Sequence, residues 1–117
     1  MSTDLERRRE SRDRYQAVLR TVAHQTSPKQ SPGARPTTIR LLQATHGQHD
    51  HDDVDSAMRA AIENDDLLKW TDADGRVRLT LYAEPDLKRL AQHIGGTVKD
   101  PHELARVNQA LAEVRDE

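Results

Sequence analysis

A chain of 117 residues with one Trp, two Tyr, no Phe and 34% hydrophobic residues can bury one modest core, filled chiefly by Leu, Val, Ile and Ala. The absence of cysteine excludes disulfides and thiolate chemistry, and apolar runs of only a few residues exclude a membrane-spanning helix. The net charge of −2 hides an asymmetry: residues 1–40 carry nine Lys/Arg against four Asp/Glu, residues 41–75 two against nine, and the remainder seven against seven. A basic head beside an acidic middle implies two surfaces with different partners, or one surface shielding the other. The Arg-rich start lacks the apolar core of a secretory signal, so a cytoplasmic protein with no membrane contact is the expectation.

Residues 2–25 read as one long helix. Only its second half carries an apolar stripe, at Tyr15, Val18, Leu19 and Val22; the same face further back holds Arg8, Ser11 and Arg12. Residues 1–14 are therefore expected to form a basic helical extension beyond the core, and Arg7, Arg8, Arg9 and Arg12 are candidates for contact with nucleic-acid phosphates. The competing explanation is a solvated helix end with pairs such as Glu10 and Arg14 at i, i+4. Residues 26–36 hold three of the five prolines and read as a loop. A short helix follows, with Thr37 or Thr38 as its cap, Ile39 and Leu42 facing inward and Gly47 just past its end.

His46, His49 and His51, with Asp50, Asp52 and Asp53 among them, are weak candidates for metal ligands. Their spacing is not that of a zinc finger, and acidic residues are ordinary at a helix N-terminus, so the expectation is no metal and no cofactor. Val54, Ala57, Met58, Ala61 and Ile62 then fall on one face of a helix. Two strands are expected next, Leu68 and Trp70 alternating with polar residues and Val77, Leu79 and Leu81 doing the same, joined by Asp72-Ala73-Asp74-Gly75 with Gly75 left-handed. On this pattern Lys69, Arg76 and Arg78 share an outward face of the hairpin.

Pro85 starts a further helix with Leu87, Leu90, Ala91 and Ile94 on one face, expected to end at Gly95-Gly96. Asp100-Pro101-His102-Glu103 signals another start. The terminal helix places Leu104, Val107, Leu111 and Val114 in a heptad-like seam that either docks on its own domain or pairs with a second copy; pairing, and hence a homodimer, is the expectation.

Helix, loop, short helix, turn, amphipathic helix and hairpin is an order that resembles a winged helix-turn-helix domain of the kind found in small microbial transcription regulators. The resemblance covers residues 15–82: Ile39 to Ala44 is similar to the second helix, Asp53 to Asn64 to the recognition helix and Leu68 to Leu81 to the wing. It implies a mainly α fold with a small antiparallel hairpin and C-terminal helices over residues 83–117 that dimerise. It also implies binding of double-stranded DNA, with the third helix in the major groove and the wing on the backbone. Ser56, Arg59, Lys69, Arg76 and Arg78, together with the N-terminal arginines, would carry that contact. Four of the seven outward positions of the third helix are acidic, Asp52, Asp53, Asp55 and Glu63, and carboxylates repel phosphate. The alternative is a protein-interaction module that docks a basic partner on this acidic helix. No glycine-rich phosphate loop or Ser-His-Asp constellation suggests an enzyme.

Overall fold

The computed structural model describes residues 4–25, 32–44 and 51–115. It is mainly helical with one small antiparallel sheet: α1 (Asp4–Gln25), α2 (Pro36–Leu42), α3 (His51–Glu63), β1 (Leu67–Thr71), β2 (Val77–Leu81), α4 (Glu84–His93) and α5 (Pro101–Arg115). The elements are those expected, but the way the sheet is used is not.

The register pairs Leu67 with Leu81, Lys69 with Leu79 and Thr71 with Val77, so these side chains share one face; Leu68, Thr80, Trp70 and Arg78 share the other. Asp72 N–H donates to Arg76 O at 2.9 Å and Gly75 N–H to Asp72 O at 3.0 Å, which makes Ala73 to Gly75 a three-residue loop with Gly75 at φ +79°. Because the loop is odd-numbered, Trp70 falls on the face away from Val77 and Leu79. The shared outward face expected for Lys69, Arg76 and Arg78 is thus corrected: Lys69 and Arg78 lie on opposite faces.

Both faces of the hairpin are packed. The first carries Leu67 and Leu79 into a core with Val18 and Val22 of α1, Ile39 of α2, and Val54, Met58 and Ala61 of α3, all buried. The second carries Trp70 and Leu68 against Leu90 and Ile94 of α4 and its continuation, and Val107 of α5. Leu87, Ala110 and Leu111 form a third apolar group beside Tyr82. A sheet buried on two sides needs apolar residues at both parities, and β1 supplies them with Leu67 on one face and Leu68 and Trp70 on the other.

The sheet edges are also occupied. Ala34 and Leu79 exchange two backbone hydrogen bonds at 2.8 Å, so residues just before α2 cap the β2 edge. On the β1 edge, Glu103 Oε2 accepts from Thr71 N–H at 3.3 Å and Arg106 Nη2 donates to Lys69 O at 2.8 Å. With edge groups satisfied from both sides, the short hairpin has no free template for strand addition at these positions.

Local signals explain most helix ends. Pro36 occupies the first turn of α2 and Arg35 the cap position without a side-chain bond, so Thr37 and Thr38 are not the cap. Asp100 Oδ1 accepts from the N–H groups of His102 and Glu103 at 2.9 and 3.3 Å, capping α5 as its sequence indicates. Gly95-Gly96 does not end α4 in the left-handed manner: Ile94–Val98 continues as a π-helical turn, and Lys99 at φ +56° supplies the left-handed residue. The seam of α5 faces its own chain. Val107 and Leu111 are buried, and Leu104 and Val114 pack against the second and third apolar groups, so within one chain these four residues dock on α4 and the sheet. Among the described residues, no helix is long and apolar enough to cross a membrane.

Candidate nucleic-acid interface

The outward side of α3 lies between two grooves, and each groove contains one of its acidic residues held by an arginine from another helix. On one side Arg14 of α1 reaches Asp53 at 3.3 Å; on the other Arg40 of α2 reaches Asp55 at 2.5 Å. Exposed pairs of this kind contribute little to stability, about 0.2–1 kcal/mol each, but they cancel charge where it matters. The sequence shows four acidic groups on this side of α3; the fold leaves Asp52 and Glu63 as the two that make no ion pair with a described residue.

The first groove, about 430 Å³, runs between α1 and α3 and is lined by Arg8, Ser11, Arg12, Arg14 and Tyr15 opposite Asp53, Ser56, Ala57, Ala60 and Asn64. Arg8 and Arg12 are exposed and make no ion pair with any described residue. The Tyr15 hydroxyl donates to Asp66 and accepts from Asn64 Nδ2 at 3.4 Å, which ties α1 to the end of α3. Burial and the bond to Asp66 raise the phenol above its ordinary range.

The second groove, about 470 Å³, lies between α2, α3 and the hairpin. Met58, Ile62, Val77 and Leu79 are among its lining residues, with Arg59 and Lys69 as positive charge beyond the Arg40–Asp55 pair. Arg59 and Lys69 are exposed. Ser56 and Arg59 therefore stand on α3 with cationic walls on both flanks. Position along the chain hides this arrangement, because Arg12, Arg40, Arg59 and Lys69 come from four different elements.

Of the remaining candidates, Arg9 and Arg76 are exposed, the latter beside the hairpin loop. The side chain of Arg7 lies outside the described residues, as do His46, His49 and the side chain of His51. Arg78 is engaged within the fold: its Nε donates to Asp72 Oδ2 at 2.7 Å and its Nη1 to Gly33 O at 3.4 Å. Asp72 in turn accepts from the backbone N–H of Asp74 and of Arg76 at 2.9 and 3.0 Å. Burial alone would raise this carboxyl, but bonds from Arg78 and from the two backbone groups outweigh it and hold the carboxyl below its ordinary range. Arg78 thus fixes the hairpin and presents little charge to solvent. Sequence reasoning misses this pair because Asp72 reads equally well as a generic turn residue.

Trp70 Nε1 donates to Thr80 Oγ1 at 2.9 Å inside the second core, and the His93 ring meets Trp70 edge-on with centroids 5.7 Å apart. Burial, then the nearby Arg78, push the His93 imidazole below its ordinary range, against an opposing pull from Asp72. This cluster lies on the face of the hairpin away from α3.

Comparison with family models, with curated proteins and with solved structures finds no match to this chain.

Proposed function

We propose that the chain is a winged-helix protein of the transcription-regulator type that binds double-stranded DNA through α3 and the cationic groups on its two flanks. The observation that carries this is the pairing of Asp53 with Arg14 and of Asp55 with Arg40, which neutralises half of the acidic outward side of α3 while Ser56 and Arg59 stay exposed. A helix entering a major groove meets base edges on its outward side and a phosphate backbone on each flank. The two grooves put Arg8 and Arg12 on one flank and Arg59 and Lys69 on the other. The element order and the Ala34 to Leu79 bridge, which fixes the hairpin relative to α2, support the same assignment.

The set of DNA-facing residues differs from the sequence expectation in one respect. Arg78 is assigned to the hairpin's internal support, and the hairpin's contribution falls to Arg76 and Lys69. Docking of a basic protein on α3 is the weaker alternative, since Asp53 and Asp55 already have cationic partners.

Binding to mixed-sequence duplex across a salt series tests the proposal. Affinity is expected to fall steeply with salt, and Arg59→Ala with Lys69→Ala to reduce the slope by about one for each phosphate no longer neutralised. Absence of binding at low salt would remove DNA as the partner.

A further inference from the structure

The groove between α1 and α3 contains more unpaired positive charge than holding the two helices together requires. Arg8 and Arg12 lie one turn apart on α1, so their guanidinium groups serve one locus, about 6 Å apart at the Cβ atoms. They project past the apolar stripe that packs α1 on the core, and neither has an ionic partner among the described residues. Ser11 on α1 and Ser56 on α3 line the same groove. The one carboxylate in its lining, Asp53, is held at 3.3 Å by Arg14, so Arg8 and Arg12 remain as its uncompensated charge. Two forked cationic donors, with one hydroxyl residue beside them on α1 and one across the groove on α3, match the donor requirements of a tetrahedral oxyanion.

We infer that this groove is a phosphate-binding site in which Arg8 and Arg12 grip the phosphate oxygens and Ser11 and Ser56 donate to them. The phosphate is a backbone diester of bound DNA or the phosphoester of a free small molecule; only the first source rests on the function proposed above. Because the donors come from both helices, an occupied groove joins the projecting half of α1 to α3, and the arm then acts as a ligand-dependent clamp on that helix.

Two measurements separate site from source. Pyrophosphate is titrated into the full chain at constant ionic strength, set with chloride, while amide resonances are followed. Saturable shifts at Arg8, Ser11, Arg12 and Ser56, abolished in R8A/R12A, are expected. Both changes are on an exposed helix face where Ala is a good helix former, and unchanged Trp70 emission checks the fold. Shifts that do not saturate, that are spread evenly over the molecule, or that persist in R8A/R12A would overturn the site.

Neutral methylphosphonate linkages are then walked along a bound duplex. One position that weakens the wild-type chain but leaves R8A/R12A unaffected identifies the DNA backbone as the source. No such position, with pyrophosphate binding intact, assigns the groove to a free phosphoester. If no duplex binds at all, the proposed function fails while the pyrophosphate result still decides the site.

Discussion

Gly33 and Gly95 make opposite demands on a methyl group. Gly33 sits at φ +86°, and a Cβ there would lie 2.5 Å from Thr80 Oγ1 and 2.6 Å from Leu79 O. The oxygen of Leu79 is backbone in the bridge to Ala34, and Thr80 Oγ1 is the acceptor for Trp70, so neither neighbour moves freely. Gly33→Ala is expected to destabilise by about 1–3 kcal/mol in urea titrations. Gly95 lies in a helical turn with open space around it, and Gly95→Ala is expected to be neutral or stabilising by about 0.4–1 kcal/mol. The acid response is also set by single residues. His93 and Asp72 both have folded pKa values below their unfolded ones, so each contributes stability at neutral pH that is lost as pH falls. Thermal midpoints should hold between pH 7 and 8, decline below about 6.5 as His93 is protonated against its burial, and fall more steeply below about 4 as Asp72 loses its bond to Arg78. His93→Gln should remove the upper step and leave the lower.

Among the elements, α5 shows how one pattern serves two architectures. A 3-4-3 seam is the same whether it meets another copy or the protein's own core, and neither Val107 nor Leu111 encodes which. The choice follows from an unmet need elsewhere: Trp70 and Leu90 require a cover, and Val107 supplies it. Leu111→Ala is accordingly expected to cost about 2 kcal/mol or more in stability, with no change in sedimentation. A lighter species in sedimentation would restore the seam to a partner. The helices and the hairpin are legible in the sequence because amphipathic spacing and the Asp100-Pro101 and Gly75 signals are local. The sheet's two packed faces are not, since one residue in the loop count exchanges faces for a whole strand. The candidate site on α3 is half legible: Ser56 and Arg59 follow from helical periodicity, whereas the neutralising Arg14 and Arg40 lie 39 and 15 positions away from their partners.

For the molecule as a whole, the charge asymmetry read from the sequence is resolved by folding one sign onto the other. The basic N-terminal part and the acidic middle meet across α1, α2 and α3, so net charge by segment is a poor guide to surface potential. Two acids are cancelled on the outward side of α3 and Asp72 is enclosed, which leaves that side more positive than residues 41–75 alone suggest. Charge reversal should therefore act nonlocally: Arg14→Glu, distant from any base edge, is expected to weaken DNA binding at low salt by freeing Asp53 and adding a repulsive group, with near-native stability in urea as the control.

The hairpin with two buried faces also gives the protein a built-in reporter. Its only tryptophan is in the layer against which the α4–α5 half packs, hydrogen-bonded to Thr80 on the strand that the α1–α3 half grips from the other side. Loosening of either half disturbs the same indole. Emission from Trp70 should consequently track helix loss by circular dichroism through a single transition, and a melt in which the two signals separate would mean that the halves come apart one after the other.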